Sequence, residues 1–264
     1  MIKFIVGAIV VAAAVMPACA ADIWAPAGQW GLVREPASCT MVRTFRTASD
    51  EITIGFAADP PSRKFRLLII APEGRFSGGE IRISAPDVAA LSGATNLKGR
   101  TKSGAKLWTA SFDRDALPGL LAAPNLTIGG AKTNWDIPLG GAAAVMDVIT
   151  SCEDDLLRSW KVDPGEVANK IPPADTTGWI TAEDYPKDAI RAGQQGVVTM
   201  LWRIEPSGKV EDCRIVVSSG SAVLDAVSCN LIRSRAHYKP AVDADGKPAP
   251  AWNRINFAWV LPRY

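Results

Sequence analysis

Apolar and polar positions alternate through the first part of the chain. Glu51-Ile52-Thr53-Ile54-Gly55-Phe56 and Glu80-Ile81-Arg82-Ile83-Ser84 carry the two-residue period of half-buried strands. Phe65-Arg66-Leu67-Leu68-Ile69-Ile70 is a more continuous apolar run, which predicts a central strand. Thr40 to Phe45, Lys106 to Phe112 and Asn125 to Ile128 read as further strands, parted by clusters such as Asp59-Pro60-Pro61 and Ser77-Gly78-Gly79. The period then changes. Ala142, Val145, Met146, Ile149, Cys152 and Leu156 recur at three- and four-residue steps, which predicts a helix between Gly140 and Trp160. Residues 21–160 are therefore expected to form a mostly β, sandwich-like domain that ends in a helix. Residues 161–178, with Pro164, Pro172 and Pro173 and no periodicity, read as a stiff linker.

The pattern sharpens from 179 to 264. Pro186 to Arg191 starts a short helix, with Pro tolerated in the first turn, and Gly193 to Gly196 stops it. Val197 to Ile204 is a strand, Glu205-Pro206-Ser207-Gly208 a turn, and Lys209 to Val217 a second strand. Ser218-Ser219-Gly220-Ser221 offers capping side chains to a helix marked by Leu224, Val227 and Leu231. The last strand, Trp252 to Leu261, sets Ile255, Phe257 and Trp259 on one face and Arg254, Asn256 and Ala258 on the other. The whole chain reads as α+β, and this second domain as helix, two strands, helix, strand.

Composition narrows the chemistry. The 29 Lys and Arg balance 27 Asp and Glu, without the basic excess of a nucleic-acid binder. There is one histidine, His237, so a multi-histidine metal site is impossible, and no nucleophile motif accompanies it. Ser218-Ser219-Gly220 lacks a nucleophile elbow, and Gly193-Gln194-Gln195-Gly196 lacks the Lys and Ser of a phosphate loop. Glu153-Asp154-Asp155 lacks the spacing of a calcium loop and reads as a solvated helix face. Trp202, Trp252 and Trp259 read as packing helices onto the sheet. No enzyme, metal or cofactor is expected.

The chain begins Met1-Ile2-Lys3, then an apolar run from Phe4 to Val15, then Pro17-Ala18-Cys19-Ala20-Ala21. These are the three parts of a signal peptide, residues 1–20, cleaved after Ala20 or Ala21. The alternative is a retained single-pass anchor in the inner membrane, since Phe4 to Ala21 carries no charge. Met16-Pro17-Ala18-Cys19 is a poor lipidation signal. Without the leader four cysteines remain, an even number as export to an oxidising compartment leaves it. They allow three pairings, and the domain layout favours Cys39 with Cys152 and Cys213 with Cys229.

In the last third, Tyr185-Pro186-Lys187-Asp188-Ala189-Ile190, Gly196-Val197-Val198-Thr199, Ile204-Glu205-Pro206-Ser207-Gly208-Lys209-Val210, Ser218-Ser219-Gly220 with Leu224-Asp225, Tyr238-Lys239-Pro240-Ala241 and Asp245-Gly246-Lys247-Pro248 follow one another in order. This ordered set resembles the TonB C-terminal domain family. It spans about residues 180–262. It implies a periplasmic protein that captures an extended plug segment of an outer-membrane TonB-dependent transporter, or another envelope protein, by strand addition. It implies Trp252, Arg254, Ile255, Asn256, Phe257 and Trp259 as the partner-binding edge, which would also accept a second copy. Two features depart from the family pattern: residues 1–21 hold no histidine, and a folded β domain stands where transducers carry a Pro-rich spacer. The N-terminal half is similar to small secreted β-sandwich domains found beside TonB domains in some Gram-negative bacteria. A reading of another class is an envelope scaffold or peptidoglycan-associated module without energy transduction. Membrane contact is expected only if the leader is retained, and no nucleic-acid partner is expected.

Overall fold

A computed structural model describes residues 23–71, 82–86, 88, 96–101, 104–130, 133–172 and 174–262. The expected signal peptide, and Glu80 and Ile81 of one expected strand, lie outside the described residues.

The N-terminal sheet is built from β1 (Ala25–Pro26), β2 (Gly31–Glu35), β3 (Ser38–Arg46), β4 (Glu51–Ala58), β5 (Lys64–Ala71), β7 (Asn96–Arg100) and β8 (Lys106–Asp113). Its order is β1-β3-β4-β5-β8-β7, with β2 also pairing along β3, and these neighbours all run antiparallel. The apolar run in β5 does occupy an interior position, between β4 and β8. A second sheet has the order β10 (Thr133–Pro138), β9 (Asn125–Gly130), β6 (Arg82–Ser84). Both sheets feed one core. Phe45, Ile52, Phe56, Phe65 and Leu67 from the large sheet meet Leu126, Ile128 and Ile137 from the small one. Each fully buried side chain of this size contributes about 2–3 kcal/mol.

Two helices close that core. α1 (Leu117–Ala122) inserts Leu117, Leu120 and Leu121, and α2 (Val145–Ser159) inserts Val145, Ile149, Cys152 and Leu156. A 3-10 turn at Ala142–Ala144 precedes α2, so the helix starts five residues after Gly140. Cys152 is bonded to Cys39 of β3, with their Cα atoms 6.1 Å apart. Glu153 corrects the expectation of a solvated face: it is buried, and Arg114 Nη1 donates to it over 2.9 Å. Burial pushes the Glu153 carboxyl up, and Arg114 opposes the rise.

The C-terminal sheet has the order β12 (Val210–Val217), β11 (Gly196–Ile204), β13 (Ala251–Trp259), all antiparallel. α4 (Lys187–Arg191) and α5 (Ala222–Arg235) lie on one face of it. Ser221 caps α5 by accepting from the Leu224 amide, and Ser218 and Ser219 hold Asp225 in the first turn. The buried stripe of α5 is Leu224, Ser228, Cys229 and Ile232, while Val227 and Leu231 are only partly covered. Cys229 is bonded to Cys213 of β12, with Cα atoms 5.6 Å apart. Gly208 turns the hairpin at φ +85°, and a Cβ there would sit 2.0 Å from the Tyr238 carbonyl oxygen. No helix among the described residues is long and apolar enough to cross a membrane.

Candidate partner-binding site

β13 runs along one edge of the C-terminal sheet, pairing with β11 through an unbroken register from Gly196 opposite Trp259 to Ile204 opposite Ala251. In an antiparallel ladder a residue sends its N–H and C=O to the same side, and the sides alternate. The Arg254 amide donates to Asn253 Oδ1 over 2.8 Å, so it points away from β11. Alternation then turns the backbones of Asn256 and Ala258 outward as well. Among the described residues neither has a backbone partner on that side.

The six residues expected at this edge divide by environment. Ile255, Phe257 and Trp259 face α4 and α5. Trp259 donates from Nε1 to the buried Ser228 Oγ over 2.9 Å, and its ring lies 5.0 Å from Tyr185 and 5.0 Å from Phe257. These side chains help pack the C-terminal helices onto the sheet. Trp252 and Arg254 face the opposite way, into the N-terminal half of the chain. Trp252 is 4% exposed, packed with Leu157, Val162 and Leu201 instead of with the helices. Its Nε1 donates to Glu166 Oε2 over 2.7 Å, and the Arg214 guanidinium lies 4.8 Å above its ring. Only Asn256 exposes its side chain.

Several residues around the edge carry no signal in the sequence. α3 (Pro164–Val167) lies inside the segment 161–178 and packs against β13. Its Glu166 accepts from Arg203 Nη2 over 2.6 Å. That guanidinium, with Trp252 adding to it, holds the Glu166 carboxyl below the usual carboxylate range. Asn169 Nδ2 donates to the Pro250 carbonyl over 2.6 Å. Asp59, just after β4, takes Arg66 Nε at 2.5 Å and Arg254 Nη2 at 3.2 Å. Arg254 Nη1 also donates to the Ala37 carbonyl in the turn between β2 and β3. Asn253 donates from Nδ2 to the Tyr238 hydroxyl over 2.8 Å, which also accepts from Trp202 Nε1 over 3.2 Å.

The open stretch of the edge has a plain surface. Val197 stands opposite Ala258 and is 53% exposed, and Val260 is 65% exposed. An arrangement of this kind offers main-chain donors and acceptors beside small uncharged side chains.

Comparisons with known proteins bear on the last third of the chain. Residues 181–261 match the family described as Gram-negative bacterial TonB protein C-terminal. No curated protein and no solved structure matches the chain significantly. The match covers the two strands of the hairpin, α4, α5 and β13, the elements that make up the third sheet and its helices. The last third of this chain is thus similar to the C-terminal part of Gram-negative bacterial TonB proteins.

Proposed function

We propose that the C-terminal domain binds an extended segment of an outer-membrane transporter plug by adding it as a strand to β13, and that the protein serves TonB-dependent nutrient uptake from the periplasm. The observation that carries this reading is the outward backbone of Asn256 and Ala258 on a strand with one neighbour. Main-chain hydrogen bonds give such an edge affinity for any extended partner, and side-chain pockets add selectivity. The two disulfides favour an oxidising compartment, consistent with export by residues 1–20. The test is a titration of the isotope-labelled exported chain with plug-segment peptides, read by NMR. Shifts centred on residues 256–260 support the proposal, and unchanged spectra at millimolar peptide overturn it. Sedimentation with purified sacculi examines the scaffold reading in the same preparation.

A further inference from the structure

The β13 edge is uneven along its length. At its start the Pro250 carbonyl is taken by Asn169, and α3 packs alongside with Glu166 on the Trp252 indole. The Arg254 amide is taken by Asn253 Oδ1, and the Arg254 side chain, 9% exposed, is fixed to Asp59 and to the Ala37 carbonyl. Past Arg254 these contacts stop. Asn256, Ala258 and Val260 are exposed, and Val197 lies beside them.

We infer that the N-terminal domain and residues 163–170 close the β13 edge as far as Arg254 and confine strand addition to Asn256–Val260. This rests on the strand-addition reading above and adds to it which stretch of the edge a partner can use. The open stretch accommodates a segment about five residues long, since an added strand keeps step with its neighbour residue by residue. On the face away from α4 and α5 its side chains would pair across the ladder with Asn256 and Ala258, neither of them charged. Arg254 acts as the stop. Its backbone faces the lane, and its side chain holds the N-terminal domain beside it.

Amide hydrogen exchange on the full exported chain tests this in two stages. In the unliganded protein the Asn256 and Ala258 amides are expected to exchange at least about tenfold faster than those of Trp252 and Arg254. Arg254→Ala should narrow that difference, with Arg254→Lys intermediate. Equal exchange along the whole strand in the parent chain overturns the closure. The second stage adds acetylated, amidated Val-Thr alternating peptides of roughly five and roughly nine residues. Both lengths should protect Asn256 and Ala258 alike in the parent chain, and the longer one should extend protection to Arg254 and Trp252 only in Arg254→Ala. Protection of Trp252 by the longer peptide in the parent chain overturns the stop while leaving strand addition intact. Absence of protection by either peptide in either chain removes strand addition itself, and the confinement with it.

Discussion

On one face of the C-terminal sheet, Trp202, Trp259 and Tyr185 pack with α4 and α5 in a core drawn from residues after 170. On the other face Leu201 and Trp252 lie beneath Leu157 and Val162, and arginines tie the layer together: Arg203 to Glu166, Arg254 to Asp59, Arg214 to the carbonyls of Trp160 and Lys161. The first face is apolar and supplied from nearby in the chain. The second is thin, charged and supplied from far away, as interfaces between domains tend to be. The difference teaches that the family pattern needs only its own core, whereas the reach of its edge depends on the neighbour.

Substitutions on the two faces should separate accordingly. Trp202→Ala empties a fully buried site and is expected to cost about 4 kcal/mol in urea unfolding. Removing the Cys213–Cys229 bond by a double alanine substitution opens a loop with a sequence separation of 16. That should cost about 3 kcal/mol by the chain-entropy argument. Glu166→Gln on the opposite face breaks an ion pair whose partners are 27% and 19% exposed but keeps an acceptor for Trp252. About 1 kcal/mol is expected there. If it costs as much as Trp202→Ala, the contrast between the faces is wrong.

Acid sharpens the comparison. Glu166 and Asp184 have folded-state values below their unfolded ones, so their contribution is present above the ordinary carboxylate range and is lost as pH falls through the folded value. Glu153 is raised, so it works the other way: its penalty is present above the folded value and is relieved by protonation. Stability should therefore fall in acid, less steeply in Glu166→Gln and more steeply in Glu153→Gln, in denaturation midpoints compared across pH. The smallest effect belongs to the open stretch. Asn256→Thr should change stability by less than about 0.5 kcal/mol, because the side chain touches little.

The sequence made much of this legible where burial follows a regular period. β4, β8 and all five elements from α4 to β13 lie within a residue or two of the positions that alternation and turn residues mark. It was silent where the period carries no contrast. All five residues of β2 are exposed, so Gly31-Leu32-Val33-Arg34-Glu35 has no inside and outside to read. β10 is Thr-Asn-Trp-Asp-Ile-Pro, and α1 is only six residues with Pro and Gly among them. At the edge itself the strand and its alternation were visible, but the burial of Trp252 and Arg254 was not. The contact from Arg254 to Ala37 spans 217 positions, and nothing local to either residue announces it. Glu153 misled for the same reason: two acids follow it, and its arginine lies on another element.

The Cys39–Cys152 bond spans 113 positions and joins β3 to the helix from which the chain leaves for the C-terminal domain. A pull applied at β13 and carried back along the chain enters α2 at its end, reaches Cys152 within two helical turns and crosses covalently to β3. The strands between those cysteines are bypassed. Tension along that path would load β3 and α2 through the bond and spare the strands between them.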